Sequence, residues 1–107
     1  MKTKLSIMLL FAMAFFTAPV FAFEQITAHV TMVEGTYMPG KMVFQLDAGN
    51  TTCPAGTRLI WSKADVSNNK AVYATLVAAL VANKRVQVFI NDADTTCNVQ
   101  YLNLLSN

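Results

Sequence analysis

The residues able to do chemistry are few. The chain has two cysteines, Cys53 and Cys97, and one histidine, His29. A structural zinc site takes about four thiolate or imidazole ligands, so these three do not make one, and no Cys-x-x-Cys redox pair is present. In an oxidising compartment the two cysteines are expected to form a disulfide. Closing a loop of about 45 residues contributes roughly 4 kcal/mol in the chain-entropy treatment. No motif sets His29 beside a nucleophile, and no glycine-rich phosphate loop occurs. The chain is therefore read as a non-enzyme that carries no metal and no cofactor. His29 is expected at the surface or a barrel edge. Asp92 and Asp94 flank Ala93 as turn residues, since a calcium site gathers about six or more oxygens. Asn50, Thr51 and Thr52 spell a glycosylation acceptor that matters only in a eukaryotic secretory pathway. Trp61 is expected in the core or at a barrel rim rather than as a sugar-stacking platform.

The compartment comes from the first 22 residues, read as a cleavable signal peptide. Lys2 and Lys4 precede an apolar stretch from Leu5 to Phe16, and Val20, Phe21 and Ala22 close the segment, the order of a secretion signal. An apolar core of about a dozen residues falls short of the roughly 20 that span a bilayer. Cleavage after Ala22 would leave residues 23–107 as one domain, secreted or periplasmic, with no membrane span. In that part Lys41, Arg58, Lys63, Lys70, Lys84 and Arg85 balance Glu24, Glu34, Asp47, Asp65, Asp92 and Asp94. A nucleic-acid ligand needs a positive surface, and none is present in that balance.

Residues 25–33 alternate, with Ile26, Ala28, Val30 and Met32 on one side and Thr27, His29, Thr31 and Val33 on the other, which predicts a half-buried strand. Gly35, Pro39 and Gly40 break it, and 42–48 reads as a second strand in a hairpin with the first. A turn-rich segment, 49–56, precedes a third strand at 57–62. Ser67, Asn68 and Asn69 open a helix that runs through 70–82. Strands at 86–90 and 97–104 complete the order β-β-β-α-β-β. This is the order of a mainly β fold, the five-stranded OB-fold barrel with one helix, in which strands three and five are parallel neighbours. Cys53, before strand three, and Cys97, at the start of strand five, would then lie at one end of that pair. A small α+β sheet with one covering helix is the alternative.

The helix is apolar at nearly every position. Either its alanines are simply good helix formers that tolerate exposure, or its outer face packs against a neighbouring subunit, with Tyr73, Val77 and Val81 as the interface candidates.

The segment from Ala71 to Cys97, with Val72, Tyr73, Leu76, Ala79, Leu80, Lys84, Val86 and Val88, resembles the B subunits of AB5 toxins, above all the subtilase cytotoxin B-subunit-like family. Cys53 to Trp61, where Cys-Pro-Ala-Gly precedes a strand, is compatible with the same pattern. The resemblance implies an OB-fold protomer, a homo-oligomer that can be a ring of five with helices lining a pore, and glycan binding on the barrel's outer surface. It also implies ligand-binding positions. Thr27 is the nearest counterpart of the family's sugar-holding hydroxyl, and Phe89 and Asn91 lie in the corresponding strand-end region. The pocket's other aromatic and acidic residues have no match here.

The leading expectation is an exported, non-catalytic, toxin-B-like module whose partner is a cell-surface glycan or a protein. The alternative is a secreted or periplasmic structural or protein-interaction domain with no sugar ligand. A third reading is an enzyme or an enzyme inhibitor, the latter a small stapled domain acting through the loop 49–56.

Overall fold

The computed structural model describes residues 22–107, so the expected signal peptide, apart from its last residue, lies outside the described residues. Strand β1 (Phe23–Glu34) is followed by β2 (Met42–Leu46), β3 (Leu59–Trp61), helix α1 (Val66–Ala82), β4 (Arg85–Asn91) and β5 (Val99–Leu104). The strands form one antiparallel sheet in the order β3-β2-β1-β4-β5. The fold is mainly β, and the β-β-β-α-β-β order matches the expectation.

β1 organises the sheet because it is long enough to serve two partners. Its first half, Phe23 to His29, pairs with β4, and its second half, Val30 to Glu34, pairs with β2. Between them Thr31 is an extra residue, since Val30 faces Leu46 and Met32 faces Gln45. Such a bulge advances the side-chain alternation by one and bends the strand. Val33, not Met32, therefore packs against the core, a correction to the uninterrupted alternation read from residues 25–33.

The edge strands β3 and β5 meet at one parallel bridge, Ile60 to Asn98, where the Ile60 N–H donates to the Cys97 carbonyl at 3.0 Å. The sheet is not closed into a barrel, and this one contact pins its two edges. β3 has only three residues, too few for a full ladder. The disulfide Cys53–Cys97 sits beside this contact, with Cα atoms 6.0 Å apart.

Helix α1 starts at Asp65, whose carboxylate accepts the Asn68 N–H at 3.1 Å. Asp65 is the N-cap, two residues before Ser67, the first of the three expected helix-starting residues. Asn83 ends the helix in the left-handed conformation, φ 54°, a known helix stop. Leu76 and Ala79 face inward onto a core of Ile26, Ala28, Val30, Phe44, Leu59, Val86, Val88, Ile90 and Val99. Trp61 belongs to this core at 5% exposure, consistent with its structural reading.

Candidate functional site

The strands β1, β4 and β5 turn their aliphatic residues inward, and what remains points out. In register, Phe23 faces Asn91, Gln25 faces Phe89, and Thr27 faces Gln87; across the next ladder Phe89 faces Tyr101 and Gln87 faces Asn103. Adjacent strands lie about 4.8 Å apart, so alternate residues of three strands form one surface. The three expected ligand residues, Thr27, Phe89 and Asn91, all belong to this face.

Three aromatics form its centre. The Tyr101 ring stands edge-on to Phe23 at 5.3 Å between centroids and to Phe89 at 6.5 Å. Phe23 is 46% exposed and Tyr101 59%, so the edge-to-face packing holds them in place without hiding them. Amides surround the rings. Asn103 Nδ2 donates to Gln87 Oε1 at 3.1 Å, and Gln25 Nε2 donates to Thr27 Oγ1 at 3.3 Å. Glu24, which alternates in β1 with the outward Phe23 and Gln25, and Asp92, in the turn after β4, border this surface. At its far end His29 faces Arg85, and His29 Nδ1 lies 3.4 Å from Asp47 Oδ2. The arrangement offers π-faces and neutral hydrogen-bond donors and acceptors.

The border with the turn is stiff. Glu24 reaches across to accept the Ala93 N–H at 2.6 Å and the Asn50 side-chain amide at 2.9 Å. These contacts hold the Glu24 carboxyl below its ordinary value, chiefly through the Ala93 N–H and then the Thr52 hydroxyl. Asp94 is lowered by the Thr96 hydroxyl first, opposed by some desolvation, with the Thr96 and Asn98 N–H groups adding to the lowering. Ala93 and Cys97 both adopt positive φ, 60° and 57°, a conformation non-glycine residues seldom take. Asp92 and Asp94 are thus turn residues, as expected. Asn50, of the glycosylation triplet, spends its amide on Glu24 and its oxygen on the Cys53 N–H at 2.7 Å, a structural role.

On the helix, the three interface candidates separate. Tyr73 is half-buried and packs against the core, and a Cβ on Gly35 would meet its hydroxyl at 2.8 Å. Val77 is half-buried. Val81 alone is fully outward, 81% exposed. The outer helix face is completed by Ala71, Ala74 and Ala78, and Lys70 is the one charged residue of α1.

Phe23, Gln25, Gln87, Tyr101 and Asn103 were not among the sequence candidates. Their period-two spacing marks them as outward, but only the strand register places them together. Comparison of the chain with protein-family models, with curated proteins and with solved structures returns no match.

Proposed function

We propose that this chain is an exported, non-catalytic binding module, similar in kind to a toxin B subunit, that takes a glycan on the outer face of β1, β4 and β5. The observation that carries this reading is the exposed pair Phe23 and Tyr101, packed with the half-buried Phe89 and flanked by Gln25, Gln87, Asn103 and Thr27. A pyranose presents an apolar C–H face and a rim of hydroxyls. Aromatic rings cover the first, and amide and hydroxyl side chains bond the second. Protomers associate through the outer face of α1 around Val81. Export through a cleaved signal agrees with the disulfide.

The test is a glycan array probed with the oxidised protein, residues 23–107, after its solution mass is measured by light scattering. Binding to a defined set of glycans by a multimer supports the proposal. A monomer that binds no glycan leaves the second reading, a protein-interaction domain, in its place.

A further inference from the structure

The turn between β1 and β2 carries a cleft that shares no residue with the sheet face. It is lined by Tyr37, Gly40, Lys41 and Ser62 and has a volume of about 340 Å³, at the small end of ligand sites, which run from roughly 300 to 1,000 Å³. Its walls come from two distant parts of the chain, and a buried side chain holds them together. Asn69, fully buried on α1, donates to the Pro39 carbonyl at 2.9 Å, the Gly40 carbonyl at 3.3 Å and the Lys63 carbonyl at 2.9 Å. Its oxygen accepts the Lys63 N–H at 3.2 Å. Ser62 Oγ adds a bond to the Gly40 carbonyl at 3.2 Å. A buried amide is costly unless every group is bonded, and here all of its bonding goes into fixing the turn against the end of β3. Walls fixed in advance lower the ordering cost of binding.

What the walls present is specific. Tyr37 stands 66% exposed instead of folding onto the core. Lys41 Nζ lies 5.6 Å from the centre of its ring. Among the described residues the ion pairs are His29 with Asp47 and Arg58 with Glu34, so Lys41 has no carboxylate partner. Lys63, the neighbouring cation, is engaged with Gln100 at 2.9 Å and with the Trp61 ring. The cleft therefore offers an aromatic ring with an ammonium resting over one of its faces and paired with no carboxylate, and a serine oxygen whose proton is already used and whose lone pairs can accept.

The geometry points to a second binding site, for a carboxylate-bearing sugar ring. The sugar's carboxylate draws the Lys41 ammonium off the Tyr37 ring into a charge-assisted hydrogen bond, its apolar face takes the place the ammonium leaves on the ring, and one hydroxyl donates to Ser62 Oγ. This site stands or falls independently of the sheet face, because a residue-resolved readout separates the two.

The experiment is a titration of the oxidised protein, followed by amide chemical shifts, with glucuronate and in parallel with methyl glucoside. Glucuronate is expected to shift the amides of Tyr37, Gly40, Lys41 and Ser62 and to bind about tenfold more tightly than the neutral sugar, the worth of one charge-assisted bond. Lys41→Gln removes that preference, Lys41→Arg keeps most of it, and Lys70→Gln on the helix leaves it unchanged. Shifts confined to the β1, β4 and β5 face, no shift at the turn, or a glucuronate preference that survives Lys41→Gln would each overturn the assignment.

Discussion

Two surfaces of this molecule face outward and are built from opposite materials. The outer face of β1, β4 and β5 carries three aromatics and a ring of amides. The outer face of α1 carries Ala71, Ala74, Ala78 and Val81, with Lys70 its single charge. The sheet face pairs large π-surfaces with groups that exchange hydrogen bonds with water as readily as with a ligand, so it remains stable when wet. Apart from Lys70 the helix face has little to bond and little to project, and it gains by being covered. Small residues on a helix let a second helix approach closely, whereas aromatic rings raised on a sheet suit a ligand with a flat apolar side. Exposure alone does not distinguish the two surfaces. The chemistry of the exposed atoms does.

The largest expected effect falls on the scaffold that both faces share. Replacing Cys53 and Cys97 together with serine is expected to cost about 4 kcal/mol in denaturant unfolding, because the disulfide fastens the turn after β4 to the segment before β3. A loss below about 1 kcal/mol would mean that the edge contact at Ile60 and Asn98 holds without it.

Next comes the division within the helix. Leu76→Ala, on the buried side, is expected to cost about 3 kcal/mol. Ala78→Ser, on the outer side, is expected to change protomer stability by less than about 0.5 kcal/mol. Equal costs for the two would erase the distinction between the faces of α1.

The smallest effect concerns the turn below the sheet face. Glu24 and Asp94 both lie below their ordinary values in the folded chain. The unfolded chain therefore takes up protons at a higher pH than the folded one. Their stabilisation is fully present above the ordinary value for Glu24, 4.5, and is lost as the pH falls through the folded values. Thermal melts between pH 6 and 3 should show a falling midpoint, and Glu24→Gln should flatten that fall. An acid limb unchanged by Glu24→Gln would remove its contacts with Ala93 and Asn50 from the stability of the turn.

Much of the fold was legible in the sequence because it rests on local signals. Alternation marked β1, the run of alanine, leucine and valine marked α1, and two lone cysteines marked their own bond. What was hidden depends on relations between strands. The extra residue Thr31 has no side-chain signature, so the exchange of Met32 for Val33 shows only in the ladder with β2. Asn69 reads as a helix-starting residue, yet the fold buries it as the clamp of a distant turn. Tyr73 reads as an interface candidate on the helix, and the fold packs it against the core where Gly35, far off in the chain, makes room for it. Thr27, Phe89 and Asn91 came from a resemblance. Phe23 and Tyr101, the more exposed partners on the same face, required the register of β1 with β4 and of β4 with β5.

The most direct test compares the two faces in one titration, using a glycan selected by the array and the two variants Tyr101→Ala and Val81→Glu. The distinction drawn above predicts that Tyr101→Ala weakens binding per protomer by at least about tenfold, as expected for a lost aromatic anchor. Val81→Glu should keep that affinity while reducing the solution mass. Binding that is unchanged by Tyr101→Ala, or lost per protomer with Val81→Glu, would contradict it.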